Sequence, residues 1–164
     1  YSSIALVPQK AVLFSGTVRE NLLWREKNAQ DKELWEALDM ACAKEFIEEK
    51  GKGLELPVTE EGKNFSGGQR QRVFIARLIA QEADIYFMDE PLAGIDKVTE
   101  KVIIDFIKEE QKKGKTAVIV HHDLATIREY FDHVVIINKK VVAAGRVSEA
   151  FTNENLEKAM MKNV

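Results

Sequence analysis

The sequence predicts an α/β fold with a mainly parallel sheet. Strand-like and helix-like stretches alternate along most of the chain, the signature of doubly wound α/β proteins. The apolar run Ile85-Tyr86-Phe87-Met88 has no polar alternation, which predicts a strand buried on both faces, as in a parallel sheet. A small polar residue and two glycines, Ser66-Gly67-Gly68, open a helix shortly before that strand.

Ile4–Val7, stopped by Pro8, is the first predicted strand. Residues 8–21 carry turn chemistry centred on Ser15-Gly16-Thr17. Leu34, Trp35, Leu38, Cys42 and Phe46 recur at three- and four-residue spacing and predict one helix over 31–50, closed by Gly51-Lys52-Gly53. Residues 53–65 are expected to be irregular. Ser66 caps a helix reaching about Gln81, and Ile85–Met88 is the next strand. A helix follows over about 97–113, stopped by Gly114, and then the strand Thr116–Val120. A short helix is expected near 123–131. Val134–Ile137 and Val141–Ala144 form a hairpin around Asn138-Lys139-Lys140, and residues 147–162 end the chain as a helix.

The 164 residues suffice for about one domain with its own core. With 45% hydrophobic and 31% charged residues, the composition is that of a globular protein. A net charge of −3 gives no electrostatic reason to expect nucleic acid or an anionic membrane as partner. No apolar run is long enough to span a bilayer, and the N-terminus lacks the basic flank and apolar stretch of a secretory signal. The absence of an initial Met suggests that something precedes Tyr1. The single Cys42 cannot form an internal disulfide, which fits a reducing compartment.

Five segments carry chemistry. Ser66-Gly67-Gly68-Gln69-Arg70-Gln71-Arg72 offers glycines that let a ligand approach the backbone, and the first-turn N–H groups and helix dipole favour phosphate oxygens. A plain N-cap is the structural alternative for Ser66. Asp89 and Glu90 stand at the C-terminal end of an apolar strand, where open α/β sheets bind ligands. The hard oxygen of one suits Mg²⁺, and the other can polarise a water. Asp96, after Gly94-Ile95, is also a natural N-cap for the helix that follows. His121-His122-Asp123 ends a strand; adjacent strand residues face opposite ways, which argues against a shared metal. Gln9 follows the first strand.

Together these segments resemble the ATP-binding-cassette (ABC) ATPase family. Phe65–Gln69 resembles its signature motif, with Phe65 where Leu is usual. The resemblance implies that Ser66, Gly67 and Gly68, supported by Gln69, contact the γ-phosphate of ATP held mainly by a partner domain. Ile85–Pro91 resembles the Walker B segment, which makes Asp89 the Mg²⁺ residue and Glu90 the general base. Pro91–Asp96 resembles the D-loop, with Asp96 communicating between the two sites of a dimer. His122 matches the switch histidine at the γ-phosphate, with His121 where Thr is common. Gln9, in Val7-Pro8-Gln9, matches the Q-loop glutamine, which reaches Mg²⁺ and the attacking water and couples to the membrane domain. The implied fold is the P-loop NTPase type with an added α-helical subdomain, about 15–82. Residues 1–14 and 83–164 would then be portions of the catalytic core. The implied ligands are ATP and Mg²⁺. The implied partners are a second nucleotide-binding domain and a transmembrane transporter domain, at the cytoplasmic face of a membrane.

The family's phosphate loop is not in the sequence. Gly114-Lys115-Thr116 is preceded by Glu109 where the pattern requires glycine, and it enters a strand instead of opening a helix. The first strand and Walker A are therefore missing, and the chain matches the latter part of a family domain. Phe14–Asn21 and Val58–Gly62 resemble exporters. Asp89–Asp96, His121–Leu124, Glu129–Asp132 and Phe151–Leu156 resemble the ATPase subunits of manganese- and zinc-type importers. The expected activity is ATP hydrolysis coupled to transport. The alternatives are a catalytically inactive module lending its signature motif in trans, and a chromosome-maintenance or repair ATPase. Short motif spacing and the lack of heptads weigh against the last.

Overall fold

The computed structural model describes residues 3–24 and 28–161. Chain contacts divide it into two units, Tyr1–His121 and His122–Val164. Residue 162, the expected end of the last helix, lies outside the described residues. Among the described residues, no helix is long and apolar enough to cross a membrane.

The first unit contains β1 (Ile4–Val7), β2 (Gly16–Thr17), α1 (Val18–Leu22), α2 (Asp31–Met40), α3 (Lys44–Glu49), β3 (Pro57–Val58), α4 (Gly67–Gln81), β4 (Ile85–Asp89), α5 (Lys97–Lys112) and β5 (Thr116–Val120). β1, β4 and β5 form a parallel sheet in the order β1-β4-β5, with Ile4 opposite Ile85 and Ile85 opposite Thr116. β2 and β3 make a short antiparallel pair.

The parallel sheet agrees with the sequence, but burial on both faces does not. Ala5, Val7, Tyr86 and Met88 are buried on one face. There Tyr86 meets Phe106 of α5 edge-to-face at 5.3 Å, and its hydroxyl donates to Glu110 Oε2 at 3.0 Å. The alternate residues Leu6, Phe87 and Val118 are 73%, 40% and 49% exposed. Apolar character specifies that a strand face wants cover; it does not say whether these residues provide it.

α4 is the central helix of this unit and packs against α1, α2 and α5. Its apolar side, Val73, Ile75, Ala76 and Leu78, is buried. Ser66 caps it as expected: Ser66 Oγ accepts from the Gln69 amide at 3.1 Å, and Gln69 Oε1 accepts from the Ser66 amide at 3.0 Å. This reciprocal capping box satisfies two donors at once.

The expected helix over 31–50 is two helices. Cys42, at φ 51°, turns the chain between α2 and α3, and its side chain is exposed instead of joining the apolar side. Ala41 and Ala43 on either side are fully buried, and the Ala43 amide donates to the Leu38 carbonyl at 2.8 Å. Two small buried residues let the chain bend tightly over the core. α1 was hidden in the predicted turn region: Thr17 and Glu20 form a capping box for it.

The second unit contains α6 (Ile127–Tyr130), β6 (His133–Asn138), β7 (Lys140–Arg146), α7 (Val147–Ala150) and α8 (Asn153–Met160). The hairpin is longer than expected and turns at Lys139, φ 59°, with a register irregularity at Ile136/Ile137. Ile127, Ile136, Val147 and Phe151 form its core. The expected helix near 123–131 shrinks to α6, because Asp123 Oδ1 accepts from the Ala125 amide in a turn. The expected terminal helix divides at Thr152, whose hydroxyl accepts from the Asn155 amide at 3.2 Å and starts α8.

Candidate functional site

Two side-chain clusters of the first unit contain most of the residues singled out from the sequence. The first lies at the C-terminal end of the parallel sheet. β4 ends at Asp89, which is exposed and paired in register with Val120 of β5. Glu90 follows at φ 46°, a left-handed conformation that costs a non-glycine residue about 1–2 kcal/mol. The turn is fixed on both sides: the Glu90 amide donates to the Val120 carbonyl at 3.0 Å, and the Glu90 carbonyl accepts from the Ala93 amide at 3.1 Å. Gln9, beyond β1, reaches this point. Its Nε2 donates to Glu90 Oε2 at 2.8 Å, linking residues 81 positions apart.

The second cluster joins the start of α4 to the start of α5. Asp96 caps α5: its Oδ1 accepts from the Thr99 amide at 2.9 Å and its Oδ2 from the Thr99 hydroxyl at 2.8 Å. Arg72 of α4 donates from Nε to Thr99 Oγ1 at 3.0 Å and from Nη2 to Asp96 Oδ1 at 3.3 Å. The Thr99 bonds, then the Arg72 charge, hold the Asp96 carboxyl below its ordinary range. Ser66 and Gly67 are exposed, while Gly68 and Gln69 are half-buried. Gln71 Nε2 donates to the Pro91 carbonyl at 3.5 Å, a contact from α4 to the segment after Glu90.

His121 ends the first unit and is half-buried; His122 opens the second and is exposed. The residues that sequence reasoning did not assign are those that hold these segments in place. Arg72 and Thr99 are 27 positions apart, and no local pattern marks their contact. Asn21 is buried and bonds back to Phe14 and Thr17, fixing the loop beyond Gln9. Its place directly after Glu20 in the capping-box turn was the available signal.

The donor set fits Mg²⁺ bound mainly by water and phosphate. Among the described residues no group of three His, Cys, Asp or Glu side chains could enclose a metal. One exposed strand-end carboxylate is what Mg²⁺ commonly takes from protein, the remaining positions being water and substrate oxygens. For a nucleotide, the fit is to one side of the phosphates only. The start of α4 presents backbone amides, but the sequence has no glycine-rich loop to cradle the β- and γ-phosphates.

A family model described as ABC transporter matches residues 1–93, more than half of the chain. The chain belongs to the ABC transporter family. Its relatives within that family include the zinc transport system ATP-binding protein TroB of Treponema pallidum, 48% identical over 123 residues. That match covers 74% of this chain and 45% of TroB. The manganese transport system ATP-binding protein MntB of Bacillus subtilis is 52% identical over 93 residues, covering 57% of this chain and 37% of MntB. Among solved structures, a bacterial Atm1-family ABC exporter with ATP bound superposes with a TM-score of 0.79 at 25% identity. It covers 99% of this chain and 29% of the exporter. The chain thus spans less than half the length of these ABC relatives. Zinc and manganese transport systems and an exporter are among them.

Proposed function

We propose that this chain is part of the nucleotide-binding domain of an ABC transporter, coupling ATP hydrolysis to movement of a solute across a membrane. The observation that carries the reading is the Asp89–Glu90 pair at the end of the central parallel strand, with Gln9 bonded to Glu90. Residues of about 15–82 form the helical subdomain, and the rest belongs to the catalytic core. The zinc and manganese names of the sequence relatives favour a divalent-metal transport system. The domain works at the cytoplasmic face of a membrane, against a transmembrane domain and a second nucleotide-binding domain.

In this reading each side chain has a separable task. Asp89 holds Mg²⁺, largely through water, and a bound Mg²⁺ neutralises charge on the phosphates. Glu90 takes the proton of the attacking water, and Gln9, within hydrogen-bonding distance of Glu90, orients that water. The backbone amides of Gly67 and Gly68 and the Ser66 hydroxyl face the γ-phosphate of a nucleotide held by the partner domain, with Gln69 fixing the helix start. His122 donates to the γ-phosphate, and Asp96 meets the partner domain. The reaction is an in-line displacement at phosphorus, in which positioning and electrostatics supply the rate.

The test uses a form of the protein that carries a phosphate loop. Glu90→Gln should trap an ATP-bound dimer and reduce turnover by about 10²-fold or more. Unchanged turnover removes Glu90 as the base.

A second reading has a specific basis: the sequence contains no Gly-x-x-x-x-Gly-Lys-Ser/Thr. The 164-residue chain then acts as a module that lends Ser66–Gln69 to an intact partner and does not hydrolyse ATP itself. Calorimetry with Mg-ATP should give no micromolar binding to the chain alone. ATPase activity of an intact partner, measured with and without the chain, separates the two readings.

A further inference from the structure

We propose that Arg72 is a positioning residue that locks the Ser66–Gly68 helix start to the Asp96 loop, so that both segments meet nucleotide and partner as one rigid surface. The inference rests on the reading of Ser66–Gly68 as a phosphate-facing segment and adds a residue to which that reading gives no role.

An N-cap needs only the Asp96–Thr99 bonds. The structure has more. Arg72 comes from another helix and uses two nitrogens, Nε on Thr99 Oγ1 and Nη2 on Asp96 Oδ1. Thr99 is fully buried, and its hydroxyl passes the link on by donating to Asp96 Oδ2. That same oxygen lies against the signature segment: a Cβ placed on Gly68 would meet Asp96 Oδ2 at 2.9 Å, and Thr99 Oγ1 at 3.7 Å. A carboxylate on an exposed loop would swing away from such a methyl group. Here the Thr99 amide, the Thr99 hydroxyl and Arg72 all pin it.

Gly68 therefore has a steric task besides any contact with phosphate. It leaves room for Asp96 to sit against the first turn of α4. Arg72 lies one helical turn further along the same helix and closes the loop. Displacing either segment pulls the other, because Arg72, Thr99, Asp96 and Gly68 form a closed ring of contacts. Lysine cannot replace Arg72 fully, since a single ammonium cannot reproduce the two-nitrogen fork.

The experiment compares Arg72→Ala, Arg72→Lys and Gly68→Ala in the 164-residue chain. Lys112→Ala is the control, because Lys112 pairs with Glu109 at the far end of α5. Amide hydrogen exchange is followed at the hydrogen-bonded amides of Ser66, Gln69 and Thr99, and the Asp96 carboxyl is titrated by carbon NMR. In Arg72→Ala, exchange at these three amides should rise about tenfold, with Ile75 in mid-helix unchanged. The Asp96 titration should move up toward the ordinary carboxylate range. Gly68→Ala should also move the Asp96 titration, Arg72→Lys should restore part of both effects, and Lys112→Ala should leave both alone. If Arg72→Ala does not fold, Asp96→Asn with the same amide readout replaces it. Parent-like exchange at Ser66 and Gln69 in folded Arg72→Ala or Asp96→Asn overturns the proposal. Mg-ATP presented by an intact partner domain is then added to the parent chain. Coupled exchange without any response of Gly67 or Gly68 to the nucleotide supports the lock and removes the phosphate-facing reading.

Discussion

Asn21 shows how much one buried amide can organise. Its Oδ1 accepts from the Phe14 amide at 2.8 Å, and its Nδ2 donates to the Phe14 carbonyl at 2.8 Å and the Thr17 carbonyl at 3.0 Å. One side chain thereby satisfies both polar groups of Phe14 and closes the turn leading from Gln9 into α1. Phe14 in turn stacks on Trp24 at 4.1 Å, and the Arg77 guanidinium lies 5.0 Å from the Phe14 ring centroid and 4.3 Å from that of Phe74. Burial pushes Arg77 down to about 10, so it remains charged at neutral pH. Asn21→Leu keeps the volume but strands the Phe14 amide and two carbonyls. It should cost about 2–3 kcal/mol in urea unfolding. A loss under about 0.5 kcal/mol, the scale of an ordinary surface change, would mean that water replaces these bonds.

Elements whose boundaries are set by local chemistry were legible in the sequence. α4 starts after Ser66 and ends at Gln81, as its cap and apolar spacing foretold, and α5 stops before Gly114. The break at Cys42 was not legible, because it depends on Ala41 and Ala43 packing inward against residues far away in sequence. The site divides in the same way. The order of Gln9, Ser66–Gln69, Asp89, Glu90, Asp96 and His122 was readable through family resemblance. The bond from Gln9 to Glu90, and the link from Arg72 to Asp96, exist only in three dimensions. A comparable long-range tie fastens β1, β4 and β5 at their common start. Asp84 Oδ2 accepts from the Ser3 amide at 2.8 Å, and Lys115 Nζ donates to Asp84 Oδ1 at 2.9 Å. The Lys115 bond, then the Ser3 amide, holds Asp84 below the ordinary carboxylate range, and Asp84 raises Lys115. A depressed carboxyl stabilises the fold above its unfolded pKa of about 3.9 and loses that contribution as pH falls through the folded value. Asp84→Asn should therefore lower the Tm near pH 7, with the gap to the parent closing below about pH 4. A gap independent of pH across that window would show that the charge of Asp84 is not what stabilises the fold.

At the largest scale, the first unit leaves one face of its parallel sheet open. Ile4, Leu6, Phe87, Val118 and Val120 all lie on it and are 40% to 73% exposed. Exposed apolar clusters of this kind mark contact surfaces or aggregation sites. The 164-residue chain should bind the dye ANS in its native state and self-associate as concentration rises. Leu6→Thr with Val118→Thr should weaken both by several-fold while leaving the Tm within a few degrees. Dye binding equal to that of the variant would place the exposed apolar surface elsewhere.

The strand order has a further consequence, in time instead of space. Among the described residues β1 pairs only with β4, and Ser3 meets Asp84 across 81 positions of chain. At a synthesis rate of about 5–20 residues per second, Ile4–Val7 waits about 4–16 s for its partner to be made. Through that interval its backbone donors and acceptors are an unpaired edge carrying four apolar side chains, open to any other strand that arrives first. Slowing translation between residues 10 and 84 would lengthen that exposure without altering a single contact of the finished fold.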